Sequence, residues 1–263
     1  VFDQVPPDSS MDVVNEVAHL YQQRGCDGFV AIGGGSVIDS AKAIAMGAAT
    51  GRDPWEFAST GTRPDKTLPV ATVLTLAASG SETSNSCVLT NEETKEKRGI
   101  TSETNRPVIS FLDPENTFTV SKFQTGCGIV DIMMHTLERY LTPEGGESDL
   151  TDRIAEGLLI ATRDAGRRAI ADPRDYEARA TLMWAGSVSH NDYTGCGRKR
   201  LFPVHKLEHE LSAFRDEIAH GAGLSVLFPA WAEHEMQYDY PRFAQFANRV
   251  LGVEMDFEHP ERT

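Results

Sequence analysis

The chain has 263 residues, 40% hydrophobic and 24% charged, the proportions of a folded protein, and it is long enough for one large domain or two smaller ones. A net charge of −14 argues against nucleic acid or an anionic membrane surface as a partner, and no apolar run is long enough to span a bilayer. Val1 to Ser10 lacks the parts of a secretory signal, and Cys26, Cys87, Cys127 and Cys196 have no Cys-x-x-Cys spacing, so reduced thiols in a cytoplasm are expected.

The first half alternates helix and strand signals. Asp12 to Gln23 carries Val13, Val14, Val17, Ala18 and Leu20 at helical spacing, and Gly25 closes it. Gly28 to Ile32 reads as a short buried strand, Val37 to Met46 as a helix, and Pro69 to Thr75 as a second strand. Ser86 to Thr90 is a third strand candidate, and Pro107 to Leu112 a further one ended by Asp113-Pro114. This alternation predicts an α/β domain whose mostly parallel sheet lies between helical layers. After Asp113 the pattern turns helical: Lys122 to Leu141, Asp149 to Ala171, Asp175 to His190, and Leu224 to Tyr238, which Pro229 should kink or interrupt. The expected organisation is an α/β domain over residues 1–118 and an all-α domain over 119–263. Arg198-Lys199-Arg200 reads as a solvated loop rather than a binding patch.

Two turns carry small and polar residues directly after strands. Gly33-Gly34-Gly35-Ser36 lies between a strand and a helix, where the backbone can approach a ligand closely and helix N–H groups suit a pyrophosphate. A ligand-free tight turn has the same composition, and Asp39 and Lys42 on the helix can be read as surface or capping residues. The second turn, Thr75 to Thr83, suits a cofactor at the carboxyl edge of a sheet, or equally a helix N-cap at Ser79 or Ser81.

In the helical half, Asp131 and His135 stand four apart on one predicted helix, and so do His205 and His209 on another; His220 follows just before Gly221. Four residues is about 400° of helix, so each pair shares a face. One such pair is weak, but several candidate ligands in one domain favour a metal, and an Asp with imidazoles suits Fe²⁺ or Zn²⁺. His19, His190, His234 and His259 lack partners in the sequence and read as structural or surface residues.

Taken together these motifs resemble the iron-containing (group III) alcohol dehydrogenases. Gly33 to Lys42 is similar to that family's pyrophosphate turn, Thr75 to Glu82 to its second cofactor loop, Gly128 to His135 to its first metal motif, and His205 to Ala213 with His220-Gly221 to its second. Asp149 to Glu156 and Tyr176 to Trp184 resemble the branch with butanol-type and aldehyde-reducing members. The resemblance implies Asp131, His135, His205 and His220 as metal ligands, for Fe²⁺ or alternatively Zn²⁺, with His209 as a catalytic proton relay. It implies Gly34, Gly35, Ser36 and Asp39 at the phosphates and ribose of NAD or NADP, Thr75 and Ser81 along the cleft, and Lys97 reaching the cofactor. The implied activity is hydride transfer between the nicotinamide and a primary alcohol or aldehyde, in a cytoplasmic homodimer. A glycerol dehydrogenase-like enzyme of the same fold, or a catalytically silent dinucleotide- or metal-binding remnant, are the other readings. Compared with the family pattern, the chain is expected to lack an opening strand-and-helix region and later helices, and Phe214 to Ala219 is one residue longer, which bears on how His220 is turned.

Overall fold

A computed structural model describes residues 1–6, 9–141, 148–199, 201–215 and 217–263, with the side chains of 19, 22 and 23 set aside. Arg200 of the basic cluster, the His19 side chain and Asp216 in the lengthened segment therefore lie outside the described residues.

Helix α1 (Met11–Arg24) ends where expected: Gly25, at φ 61°, takes the left-handed conformation and its N–H reaches Tyr21 O. Strand β1 (Phe29–Gly33) leads into α2 (Gly35–Thr50), and a short α3 (Pro54–Thr60) is capped by Asp53, which accepts from Trp55 N at 2.8 Å. Strands β2 (Val70–Leu74) and β5 (Ile109–Leu112) complete a three-stranded parallel sheet in the order β1-β2-β5. Alternation along β1 sends Ala31 inward, against α2 and Met183 from the helical half.

The sheet is not sandwiched as expected. Its outer face carries Val30 at 68% and Ile32 at 65% exposure, with Ile109 and Phe111 half exposed beside them, so helices cover one face of it among the described residues. The Ser86 to Thr90 candidate is a strand, but it belongs elsewhere. Strand β3 (Ser86–Asn91) pairs antiparallel with β4 (Glu96–Thr101), from Ser86↔Thr101 to Asn91↔Glu96, as a separate hairpin. β4 escapes the sequence reading because Glu96-Lys97-Arg98-Gly99 has the composition of a loop; a turn with Lys95 at φ 55° brings it back onto β3.

The second half is helical: α4 (Lys122–Leu141), α5 (Asp149–Ala171), α6 (Tyr176–His190), α7 (Pro203–Phe214), α8 (His220–Glu235) and α9 (Tyr240–Phe246). Met134, Leu137, Leu141, Leu159, Val204 and Leu224 form the core where α4, α5, α7 and α8 meet. Pro229 does not interrupt α8. Both it and Ser225, four residues earlier, are exposed, so the carbonyl deprived of its donor can be served by water. The basic cluster is also not simply solvated: the Arg198 side chain is 1% exposed and pairs with Asp152. No helix among the described residues is long and apolar enough to cross a membrane, and all four cysteines are free.

Candidate metal and cofactor site

Helix α4 sets the site. Asp131 and His135 lie one turn apart on its buried face, 4% and 5% exposed, with His135 Nδ1 3.5 Å from Asp131 Oδ1. Helix α7 brings His205 Nε2 to 3.5 Å from the same oxygen, and the first residue of α8, His220, brings its Nε2 to 3.7 Å. Asp131, His205 and His220 can each offer a ligand atom such that all lie within 4.8 Å of one another, and the His135 ring centroid is 4.5 Å from that of His205. His220 is therefore not turned away from Asp131.

These separations suit one small cation. Two ligand atoms each about 2.1 Å from an ion, at a tetrahedral angle, stand about 3.4 Å apart. Asp131 Oδ1, His135 Nδ1 and His205 Nε2 are buried with no hydrogen-bond partner in the protein, an arrangement that a metal ion, a proton or water must satisfy. The electrostatics agree. Burial, followed by the neighbouring His190 and His205, holds His135 well below the ordinary imidazole range, so the ring is neutral. Burial also lowers His205, but Asp131 and Glu138 on its two nitrogens outweigh it and raise its pKa to about 9; a cation there competes with that proton.

Two carboxylates that sequence reasoning passed over complete the arrangement. Glu138 is fully buried on α4 and bonds His205 Nδ1, while its oxygens accept from Val204 N at 2.6 Å and His205 N at 3.2 Å. Glu208 on α7 bonds His220 Nδ1. In each case a carboxylate on one ring nitrogen leaves the other nitrogen facing Asp131. Glu138 could have been found from its place three residues after His135 on the same helix. Nothing in sequence distance pairs Glu208 with His220.

His190 is a correction. Read as structural or surface, it instead ends α6 inside the cleft, its ring centroid 4.1 Å from that of His135 and its Nε2 3.0 Å from Ser86 Oγ. Phe202, at φ 48°, sets its ring edge-on to His205 at 5.2 Å. His209 lies one turn beyond His205, with its ring 5.5 Å from that of His220, and burial with His220 and Lys97 nearby lowers its pKa well below the usual value.

A cleft of about 560 Å³ runs from Gly35 and Ser36 past Ser81 and Lys97 to Asp131 and His209. Gly35 opens α2, and a Cβ there would stand 2.4 Å from Ser79 Oγ, so this glycine allows the second turn to close against the first. Gly34 is the N-cap, against Leu76, and Thr75 N–H bonds Gly33 O at 3.1 Å; neither is part of the cleft lining. Asp39 lines the cleft, but its carboxylate accepts from Ser81 Oγ and from Val88 N at 2.9 Å, which commits it to holding the second turn. Lys42 is not a surface residue: it is 1% exposed and its ammonium donates to Ser81 O at 2.6 Å, Ser84 O at 3.1 Å and Ser86 O at 2.8 Å. Burial lowers its pKa and raises that of Asp39. Lys97, on β4, donates to Ser212 Oγ on α7 at 3.1 Å, bridging the hairpin to the helical half.

Comparison with known proteins agrees with this geometry. Residues 1–114 match the iron-containing alcohol dehydrogenase family, and residues 125–262 the C-terminal region of the Fe-containing alcohol dehydrogenase family. NADH-dependent butanol dehydrogenase A of Clostridium acetobutylicum is 39% identical over 98% of the chain and 66% of its own length. An NADPH-dependent aldehyde reductase of Escherichia coli is 32% identical over 96% of the chain and 65% of its own length. The crystal structure of NADH-dependent butanol dehydrogenase A from Thermotoga maritima superposes with a TM-score of 0.93 at 38% identity, over 97% of this chain and 64% of that one. The chain thus spans just under two thirds of the length of these relatives. With both halves matched and the same motifs gathered at one cleft, the chain belongs to the iron-containing alcohol dehydrogenase family.

Proposed function

We propose that this chain carries the metal and nicotinamide centre of an alcohol dehydrogenase or aldehyde reductase acting on a primary alcohol or aldehyde. The observation that carries the reading is the convergence of buried, partnerless Asp131, His135 and His205 atoms, with His220, at one end of a cleft whose other end is the glycine turn. When bound, a divalent ion, iron or zinc, supplies Lewis acidity toward a substrate oxygen and NAD or NADP supplies the hydride carrier. Asp131, His135, His205 and His220 would hold the ion, and their single carboxylate lowers its charge while helping to retain it. Gly35 and Ser36 at the start of α2 would accept the pyrophosphate near the helix N-terminus, with Asp39 and Ser81 shaping the loop beside it and Gly34 and Thr75 keeping the two turns in register. Lys97 would reach the cofactor from β4. His209, neutral and lining the cleft, would hold or pass a proton at its ring nitrogen on the cofactor side. The division into a cofactor-binding unit over 1–118 and a metal-binding unit over 119–263, a cytoplasmic setting and a homodimer belong to the same proposal.

The test is aldehyde-dependent loss of NADH or NADPH absorbance by Fe²⁺- or Zn²⁺-loaded protein, with butyraldehyde as substrate. Turnover by the parent and its loss in Asp131→Ala are expected. Metal binding without turnover with either cofactor would sink the enzymatic reading.

A further inference from the structure

Glu208 is buried on α7, three residues after His205 and next to His209, yet its hydrogen bonds go to neither. Its Oε2 bonds Nδ1 of His220, twelve residues away on the next helix, and also accepts from Ser212 Oγ at 3.4 Å. Ser212 in turn accepts from Lys97 Nζ at 3.1 Å. Oε1 of Glu208 is buried without a hydrogen-bond partner. A buried carboxylate left half satisfied is costly, so its retention at this place asks for a reason beyond packing. Helix α8 also makes room for it: a Cβ at Gly223 would lie 2.8 Å from Glu208 Cγ and 2.9 Å from Oε1.

We propose that Glu208 is the positioning residue of His220. It keeps the proton on His220 Nδ1, so that Nε2 faces Asp131 as a ligand, and Ser212 on α7, itself held by Lys97 of the hairpin, steadies the carboxylate. His220 needs this more than the other two imidazoles. It stands at the open end of α8 with its side chain 25% exposed, whereas those of His135 and His205 are 7% and 8% exposed. Without a partner on Nδ1 the ring has two tautomers and can rotate, and only one arrangement meets the ion. The inference rests on the metal-site reading above but not on the reaction.

The experiment is calorimetric and visible-absorption titration of the full chain with Co²⁺, with parent, Glu208→Gln and Gly223→Ala compared. Glu208→Gln removes the charge; Gly223→Ala displaces an intact carboxylate and serves if the first variant does not fold. Each is expected to weaken Co²⁺ binding by about 10- to 100-fold, the usual effect of losing such a partner. In imidazole ¹⁵N spectra of metal-free protein, the signal absent from His220→Ala should shift from a single Nδ1–H tautomer to a mixture in Glu208→Gln. Affinity within twofold of the parent and an unchanged tautomer would overturn the proposal. Two Co²⁺ ions per chain would also overturn it, because Glu208, His209 and His220 could then form a cation site of their own. A parent chain that binds no Co²⁺ would sink the metal-site reading and this inference with it.

Discussion

The approach of α4 to the turn after β2 depends on a hydrogen atom. A Cβ on Gly128 would lie 2.2 Å from Ala77 O, about 0.8 Å inside the 3.0 Å that real contacts respect, and the atom it meets is backbone. Gly126, two residues earlier on the same helix, would meet nothing within 4 Å. The two alanine substitutions therefore share an intrinsic gain in helix propensity of about 1 kcal/mol and differ in the clash. Overpacking costs about 1–3 kcal/mol, and an unyielding carbonyl belongs at the upper end. Gly128→Ala should thus be destabilised by about 2 kcal/mol net while Gly126→Ala is stabilised by up to about 1 kcal/mol. Since Asp131 lies less than one turn beyond Gly128, the displaced helix should also hold Co²⁺ less tightly. Urea unfolding midpoints of the three proteins, followed by far-UV circular dichroism, provide the assay. If both alanine variants gain stability equally, the close approach of α4 to the turn is wrong, and with it the account of how the cleft is closed.

Three further outcomes are expected. Gly35→Val should abolish NADH binding measured by fluorescence titration, because its side chain collides with Ser79 and opens the second turn; unchanged affinity would reduce the glycine run to a connector. Lys42→Met leaves the carbonyls of Ser81, Ser84 and Ser86 without their buried donor, so amide exchange of residues 84–88 should quicken together with a loss of cofactor affinity, and protection equal to the parent's would refute the clamp. The Asp152 carboxyl loses solvation on burial, but Arg242, Arg198 and Gln245 more than offset this and depress its pKa to about 2. A depressed carboxylate contributes stability that is present above its unfolded pKa of about 3.9 and is lost as pH falls through about 2, here about 1 kcal/mol once solvent screening of the pair is counted. Arg242→Met should flatten the fall in urea stability between those two pH values, and an unaltered slope would show that the pair is not what titrates.

Taken alone, the sequence determined those features that live within one element. The helices from Lys122 to Leu141 and from Asp149 to Ala171 were legible to the residue, because apolar spacing is local. So were the sharing of one face by Asp131 and His135, set by helical pitch, and the family, set by the order of motifs. What lies between elements was decided by the tertiary structure. Whether Ser86 to Asn91 joins the main sheet or a separate hairpin depends on a strand, Glu96 to Thr101, whose charged residues give no strand signal until they pair. That the outer face of the sheet is uncovered among the described residues could not be read from Val30 and Ile32, because an apolar residue in a strand does not reveal whether anything covers it. Lys42 and Arg198 have surface side chains by composition, yet each is buried where another segment supplies acceptors. Glu138, Glu208 and His190 enter the site because close helix contacts turn faces of α4, α6, α7 and α8 onto one point. Gly128 and Gly221, whose added Cβ atoms would strike Ala77 O and Cys127 O, permit those contacts. Spacing along a chain specifies an angle about one helix axis; the angles between axes follow from which surfaces can approach, and that is a property of the folded whole.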